Sequence, residues 1–314
     1  MSVELWLPAL ARFEPDHPLR RLLARADRLD DGPQGYLAAL AGWFGAPEPL
    51  PAGALTRELA TGDADDALWL CADPAWVEPD MNGARLLACG QMQLAIADAM
   101  ALAEPLVPLF EEQGMRLELT SPDRWHLRLS PGTVVPAFPA PEQALGENLL
   151  MHLPQGAEGR RWRILQNEIQ VLLHQHPLNA RRRAAGQPPV NSLWLWGAGQ
   201  LPATVTTSLR GVVSDDPLLR ALAARAGIAH RLRTPVSGAN PASPAAAIPA
   251  QAGEPAAHWL IDLQDLPAQA IATAWWPMVD TLARQRPLRL SFASGERWAC
   301  RPWPRWRVWR RVRA

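Results

Sequence analysis

The chain has 314 residues, of which 48% are hydrophobic, and its 31 arginines balance 31 Asp and Glu residues to a net charge of zero. It contains no lysine, which excludes Schiff-base lysine chemistry and the lysine of a phosphate-binding P-loop. No apolar run approaches the roughly 18 residues of a membrane span, and the N-terminal residues lack the basic start of a signal peptide, so we expect a soluble cytoplasmic protein.

The first half of the chain alternates predicted helices with predicted strands. Leucine spacing predicts short helices in HPLRRLLARADRLDDG and GYLAALAGWFGAP. Strands are predicted in ALWLCADPAWV and, after a turn, in NGARLLACGQMQL. AIADAMALAEPLVPLFEEQG is predicted to be helical and to end at Gly114, and MRLELTSPDRWHLRLS to form two strands joined by a tight turn. Residues 141–154 are predicted to be helical.

The next segment carries the strongest helix pattern of the chain. RWRILQNEIQVLLHQHP has an apolar stripe that runs from Ile164 to His176. Asn179 is predicted to cap a second, short helix in ARRRAA. VNSLWLWGAG is predicted to be a buried strand that ends in a glycine turn at the carboxyl edge of a sheet, where open α/β sheets bind ligands. DDPLLRALAARAG is predicted to be a helix capped by Asp215 or Asp216.

Composition divides the chain into three predicted parts. Residues 233–257 are rich in Pro and Ala with almost no large apolar groups, so they are predicted to be a flexible linker or loop. Residues 1–232 form the main α/β region, and residues 258–314 form a C-terminal α/β segment that packs on it. HWLIDL and PLRLSF are predicted to be strands of this segment, with a helix between them. The alternation predicts an α/β fold with a mixed, partly parallel sheet flanked by helices.

Residues 174–199, HQHPLNARRRAAGQPPVNSLWLWGAG, gather the residue types of a ligand site. The planar guanidinium of an arginine can form two parallel hydrogen bonds to a phosphate or a carboxylate. The ligand-binding candidates are His174, His176, Asn179, Arg183, Asn191, Gly197 and Gly199. The two histidines are two positions apart and do not share a helix face, which argues against a joint metal site. The alternatives are structural: a helix cap, hydrogen-bonded or core histidines, and solvated arginines.

The last 18 residues, RWACRPWPRWRVWRRVRA, hold seven arginines and four tryptophans with no acidic residue. Three interpretations stay open: an edge strand with its tryptophans in the core, a surface for a protein partner, or binding of nucleic acid or an anionic membrane surface. The partner-binding candidates are Trp303, Arg305, Trp306, Trp309 and Arg310. No metal site, cofactor or catalytic residue is predicted; the three cysteines are too widely spaced for a disulfide framework or a CxxC zinc site.

These motifs resemble two groups of proteins. HPLNARRRAAGQPPVNSLWLWGAG is similar to a stretch of the archaeal-type cofactor-independent phosphoglycerate mutases of the alkaline phosphatase superfamily, which carry HPxN…R…G…PAN…LLRGAG there. ADPAWVEPDMNGARLLACGQMQLAIADAMALAEPL looks like the start of their substrate-binding insert, and the similarity covers about residues 67–230. Through NEIQVLLHQHPLN, PVNSLWLWGAG, GVVSDDPLL and a terminal WRR, the whole chain resembles bacterial RpfE-type regulatory proteins.

The departures from the mutase pattern indicate a degenerate scaffold. The resemblance implies phosphate transfer through a phosphoserine held between two metals, with an early Asp turn and later Asp and His pairs. The first 55 residues contain no such turn, and the histidines after Gly199 are His230 and His258, outside any DH pair or DxxxH motif. Trp196 stands where the mutases have the arginine of RGAG.

We therefore expect a non-catalytic bacterial regulatory or protein-interaction protein, rich in tryptophan, on a degenerate mutase-like scaffold. Mutase activity is not expected, and the partners are proteins, with a small anionic metabolite as a further candidate ligand. Two alternatives remain. One is an enzyme or sensor that binds a phosphorylated or carboxylated metabolite near Asn179–Gly199. The other is a nucleic-acid-binding protein that uses its Arg/Trp tail.

Overall fold

Strands and helices alternate through the residues that the computed structural model describes, which are 2–81, 83–233 and 258–302. The strands are β1 (Ser2–Leu7), β2 (Asp27–Leu29), β3 (Phe44–Gly45), β4 (Leu68–Asp80), β5 (Gly83–Cys89), β6 (Met115–Ser121), β7 (Arg124–Leu129), β8 (Ser192–Gly199), β9 (Thr206–Thr207), β10 (Gly211–Val213), β11 (Ala229–Arg231), β12 (His258–Asp262), β13 (Leu288–Phe292) and β14 (Arg297–Cys300). The helices are α1 (Pro18–Arg25), α2 (Tyr36–Trp43), α3 (Ala52–Thr61), α4 (Ile96–Ala103), α5 (Leu106–Glu112), α6 (Pro141–Ala144), α7 (Gly156–His174), α8 (Pro177–Ala184), α9 (Pro217–Arg225), α10 (Ala268–Ala270) and α11 (Trp276–Gln285). A π-helical turn, Ile271–Trp275, connects α10 to α11.

The chain forms two compact units. Unit 1 consists of the described residues within Met1–Ala46 and Thr204–Ala314, and unit 2 is the continuous segment Pro47–Ala203. The predicted division at residues 232 and 258 differs from these boundaries. The flexible linker or loop predicted at residues 233–257 stays a prediction, because residues 234–257 lie outside the described residues.

Unit 1 is built on a seven-stranded sheet in the order β11-β10-β12-β1-β13-β14-β2. Within this order, the strands β11, β10, β12, β1 and β13 run parallel to one another. β14 pairs antiparallel with β13 on one side and with β2 on the other. The mixed, partly parallel sheet predicted from the sequence is therefore confirmed. One interpretation of the Arg/Trp-rich tail was an edge strand. The part of the tail that the structure describes forms β14, which lies between β13 and β2 and not at the edge of the sheet.

The central strand of unit 1, β1, has one apolar face and one polar face. Val3, Leu5 and Leu7 point into a core that they share with leucines and aromatic residues of α1, α11 and β13. Because successive side chains of a strand alternate, Glu4 and Trp6 lie on the opposite face. Both are nonetheless buried. A buried carboxylate in the middle of a central strand is costly unless it has polar partners, and Glu4 has them in Ser291 and His258.

Unit 2 is built on an antiparallel sheet around the long strand β4. β4 pairs with β5, β7 and β8, and β6 pairs with β7, all antiparallel. Its core combines inward side chains of β4, β7 and β8 with apolar residues of α4, α5 and α7. Trp125 and Trp162 are fully buried in that core. Several tryptophans thus serve as large core side chains in this unit.

Four local predictions are wrong. Residues 141–154 form only α6 and a separate 3-10 turn at Leu149–Met151. Asn179 lies inside α8, and His176 caps that helix instead of joining the apolar stripe of α7, whose predicted member Ile164 is exposed. Gly197 and Gly199 belong to β8 in the antiparallel sheet, so they do not form a turn at the carboxyl edge of a parallel sheet.

Among the described residues, no helix combines the length and the apolarity that a membrane crossing requires.

Candidate functional site

The two asparagines of the predicted ligand stretch form hydrogen bonds to main-chain groups that surround the beginning of β8. Asn179 is fully buried, and its Nδ2 donates to the carbonyl oxygens of Leu173 at 2.7 Å and Val190 at 2.8 Å. Its Oδ1 accepts from the Val190 amide at 2.8 Å. Asn191 donates to the carbonyl oxygen of Val77 at 2.7 Å and accepts from its amide at 2.8 Å. Both side chains therefore have a structural role within unit 2.

The histidines and arginines of the same stretch do not converge. His176 is half-buried, and its Nδ1 accepts from the Leu178 amide at 3.2 Å at the start of α8. His174 and Arg183 are exposed. The buried guanidinium of α8 belongs to Arg182, which was not a candidate and which donates to two main-chain carbonyl oxygens at 2.8 and 2.7 Å. The ligand-binding role of the candidates stays a prediction.

The two glycines of the stretch allow the beginning of α3 to approach β8 closely. A Cβ atom on Gly197 would lie 2.6 Å from the Cβ atom of Ala52, and Gly197 has a positive φ of 66°. A Cβ atom on Gly199 would lie 2.5 Å from the Cβ atom of Pro51. Real side chains do not approach that closely, so both positions require glycine for packing.

We expect Gly197→Ala to lower the free energy of unfolding by roughly 2–3 kcal/mol, because backbone strain adds to a clash with Ala52. Urea denaturation followed by circular dichroism measures this change. Gly186→Ala is the matched control, since Gly186 also has a positive φ, of 71°, but nothing lies within 4 Å of its added Cβ. The control should lose only about 1 kcal/mol. Equal losses in the two variants would show that the approach of α3 does not constrain Gly197.

The partner-binding candidates of the tail lie outside the described residues. These are Trp303, Arg305, Trp306, Trp309 and Arg310. The described tail residue Trp298 packs against the core of unit 1, with the Arg28 guanidinium 4.3 Å from its ring centroid.

A buried ion pair lies where β4, β7 and β8 meet in unit 2. The Nε atom of Arg124 is 3.0 Å from Oδ1 of Asp73, and Trp196 Nε1 donates to the other oxygen at 2.8 Å. The Arg124–Asp73 contact lacks hydrogen-bond geometry, so its attraction is that of an ion pair. Burial raises the pKa of Asp73, although Arg124 opposes that rise. The sequence analysis did not predict this pair. The feature that could have indicated it is Asp73, a charged residue inside the apolar run LWLCADPAWV.

A second acidic group lies at the carboxyl edge of the parallel strands in unit 1. Asp262 ends β12, is fully buried, and accepts from Ser214 Oγ at 2.6 Å. Burial raises the pKa of Asp262 to about 7. Asp216 caps α9 by accepting from the Leu219 amide at 2.8 Å, which confirms one of the two predicted caps, and it accepts from Tyr36 Oη at 2.8 Å.

Arg233 joins the remaining carboxylates of this edge. Its guanidinium donates to both oxygens of Asp265 at 2.5 and 2.7 Å and to Asp215 at 3.0 Å. It also donates to the carbonyl oxygen of Asp262 at 3.3 Å. The Arg233 side chain is buried, and although burial alone would lower its pKa, the hydrogen bonds to Asp265 and the nearby negative charges raise it. A fixed positive charge therefore lies among these acidic residues.

This donor set does not fit a two-metal phosphotransfer centre. Two metals that clamp a phosphate need several carboxylate and imidazole donors with free lone pairs. Here Arg233, Ser214, Tyr36 and the start of α9 already bind the aspartate oxygens. Within the described ranges, no group of three or more His, Cys, Asp or Glu residues is arranged to hold a metal ion.

Comparison with known proteins gives a partial match in sequence. The chain is 38% identical over 101 residues to a probable 2,3-bisphosphoglycerate-independent phosphoglycerate mutase of Geobacter sulfurreducens, which covers 31% of this chain and 24% of that protein. It is 34% identical over 93 residues to the 2,3-bisphosphoglycerate-independent phosphoglycerate mutase of Methanosarcina mazei, covering 28% and 23%. The match thus spans about a quarter of the length of these relatives. No family model matches the chain.

Two solved structures align with most of the chain at low similarity. The cofactor-independent phosphoglycerate mutase of Thermoplasma acidophilum is 15% identical, with a TM-score of 0.42 over 95% of this chain and 88% of that one. A protein of Pyrococcus horikoshii is 14% identical, with a TM-score of 0.44 over 95% and 86%. The chain is therefore similar in sequence to phosphoglycerate mutases over a part of its length.

Proposed function

We propose that this protein is a non-catalytic regulatory or protein-interaction protein on a degenerate phosphoglycerate-mutase-like scaffold, of the bacterial RpfE type that its sequence resembles. It acts in the cytoplasm through a protein partner. The observation that carries the proposal is the position of Arg233. Its guanidinium binds Asp215 and Asp265 at the carboxyl edge of the parallel strands, which is where open α/β sheets place their ligands.

The Arg233 guanidinium takes the place that a metal ion would have beside these carboxylates. Carboxylates bind a divalent cation when their negative charge is otherwise uncompensated. Arg233 compensates that charge, and it forms a bidentate, planar pair with Asp265 that a metal would have to displace. A scaffold that keeps its fold but carries its own cation at this edge would keep binding surfaces and lose metal-dependent phosphotransfer.

Exposed apolar side chains on unit 2 support a protein partner. Ile96 and Met100 are one turn apart on α4, with 55% and 62% of their surface exposed. Ile164 and Val171 are two turns apart on α7, with 49% and 55% exposed. Residues at these spacings lie on one helix face, and apolar groups repeated on one face are typical of surfaces that another protein covers.

The proposal is tested by metal content and turnover of the purified full-length protein. Elemental analysis with native mass spectrometry should find substoichiometric metal. A phosphoglycerate mutase assay with added manganese should give no turnover and no phosphoserine. Two bound equivalents of manganese or zinc, or metal-dependent turnover, would overturn the proposal and make the protein an enzyme.

Removal of the internal cation tests the same idea from the structure. We expect Arg233→Ala to lower the free energy of unfolding by roughly 1–3 kcal/mol, since both carboxylate partners are partly exposed and screened by solvent. Arg284→Ala, which removes an exposed pair with Asp280 on α11, is the control and should change stability by less than about 0.5 kcal/mol. An Arg233→Ala loss no larger than that of the control, in urea denaturation, would remove the structural role given to Arg233.

A further inference from the structure

The outer face of α7 in unit 2 carries a stripe of exposed side chains. Positions three, four and seven residues before or after Ile164 share one face of the helix, because about 3.6 residues make a turn. A groove of about 400 Å³ is lined by part of this stripe and by Gln113, the residue that follows α5. The stripe is therefore open to a partner along about four helical turns. Its exposed residues are Ala157, Arg160, Arg161, Ile164, Asn167, Glu168 and Val171.

The stripe is symmetric in spacing about Ile164. Arg160 lies four positions before Ile164 and Glu168 lies four positions after it, so opposite charges stand at equal distances from the centre. Ala157 and Val171 lie seven positions before and after it, one with a small side chain and the other with a large apolar one. A two-fold contact between identical chains requires this kind of self-complementary surface.

A second copy of α7, antiparallel about a two-fold axis at Ile164, matches every position of the stripe. Ile164 packs on Ile164 of the second copy, and Arg160 of each copy lies opposite Glu168 of the other. Ala157 leaves room for Val171 of the other copy. A parallel pair would instead place Arg160 beside Arg160 and Glu168 beside Glu168, and like charges that face each other oppose association. The charges therefore favour the antiparallel pair.

A hydrogen-bonding pair completes the match. Arg161 lies three positions before Ile164 and Asn167 three positions after it, so they face each other in the antiparallel pair. Arg161 is held at the groove, since it donates from Nε to Gln113 Oε1 at 3.2 Å and from Nη2 to the Gln113 carbonyl oxygen at 2.9 Å. A guanidinium has five N–H donors, so Arg161 keeps donors for the amide oxygen of Asn167 on the other copy.

We infer that the outer face of α7 binds α7 of a second copy of this chain, antiparallel about a two-fold axis at Ile164. The inference rests on the proposal that protein covers the exposed apolar faces of unit 2, and it identifies the occupant of one of them. A single pair of helices is a small interface, so the dimer is weak and forms at micromolar concentrations. Ile96 and Met100 on α4 stay available to a different partner.

Analytical ultracentrifugation of the full-length protein, from about 1 to 200 µM, should show a reversible equilibrium between monomer and dimer. Ile164→Glu places two like charges at the axis and should weaken dimerisation at least about thirtyfold. Met100→Glu makes a matched change at an exposed position of α4 and should leave dimerisation unchanged. A wild-type protein that stays monomeric throughout, or equal effects of the two variants, would overturn the inference.

Charge reversal tests the antiparallel register. Arg160→Glu and Glu168→Arg each replace attractive pairs with like charges, so each variant alone should dimerise about tenfold more weakly. An equimolar mixture of the two should recover the wild-type affinity, because opposite charges face each other again at both ends. Arg183→Glu, at an exposed position of α8, is the control and should dimerise as the wild type does. A mixture no tighter than its components would contradict the inference, and it decides if Ile164→Glu loses its cooperative thermal transition.

Failure of this inference is distinguishable from failure of the proposed function. A metal-free, inactive protein that stays monomeric would overturn the dimer and leave the non-catalytic role standing. A dimer with two bound metal ions and mutase turnover would overturn the non-catalytic role and leave the α7 contact standing.

Discussion

Arg124→Met is expected to lower the free energy of unfolding by roughly 3–5 kcal/mol, because it leaves Asp73 buried without its cation. Asp73 is 1% exposed and the Arg124 side chain 19% exposed, so neither charge is solvated as it would be at the surface. Trp196 Nε1 remains as a single neutral donor to Asp73, and its hydrogen bond does not replace a full positive charge. Urea denaturation monitored by circular dichroism measures the loss.

Two further variants separate the ion pair from the size of the side chain. Arg128→Met makes the same substitution at an exposed position of β7 and should cost less than about 1 kcal/mol. The double variant Asp73→Asn with Arg124→Met removes both charges and should recover part of the stability lost in Arg124→Met. If Arg124→Met and Arg128→Met lose the same amount, the Asp73–Arg124 pair does not stabilise unit 2.

The contribution of Asp262 to stability is expected to fall as the pH rises from about 4 to 7. Its pKa is raised to about 7 in the folded protein, against about 3.9 for an ordinary aspartate, so folding favours the protonated form. The contribution of that protonated form is complete below pH 4 and is lost as the pH passes 7. The total change is at most roughly 4 kcal/mol, from a pKa difference of about three units.

Asp262→Asn isolates this contribution from all other titrating groups. The variant holds a neutral side chain at every pH, and Ser214 Oγ can turn to accept a hydrogen bond from the new amide. The difference in unfolding free energy between variant and wild type should therefore shift in favour of the variant between pH 4 and 8. Asp280→Asn, on the surface of α11, should show no such shift. A difference that is constant with pH in both variants would mean that Asp262 does not titrate in this range.

The parts of the fold that the sequence predicted depend on neighbouring residues. The apolar spacing from Leu165 to Leu173 is contained within one helix and predicted most of α7, although the predicted stripe continued past the end of that helix to His176. Gly114, which has a positive φ of 70°, was the predicted end of the helical stretch that contains α4 and α5. Such signals need no knowledge of the rest of the chain, because helix periodicity and glycine conformation are local properties.

The parts that could not be predicted depend on residues far apart. Asn191 bonds to Val77, 114 positions away, and Glu4 bonds to Ser291, 287 positions away. The local sequence around an asparagine does not distinguish whether its side chain caps a helix, binds a ligand or forms hydrogen bonds between two strands. For the same reason, the sequence around Glu4 gave no sign that this acidic residue would be buried beside a pocket.

The order of strands in unit 1 also has a consequence for synthesis on the ribosome. β1 lies at the centre of the sheet, but its partners β12 and β13 are residues 258–262 and 288–292. Unit 2 has all its strands within one continuous segment, so it can fold while later residues are still being translated. β1 therefore stays an unpaired, largely apolar strand until residues 258–292 have emerged. We expect nascent chains that stop before residue 258 to be bound by chaperones through this strand.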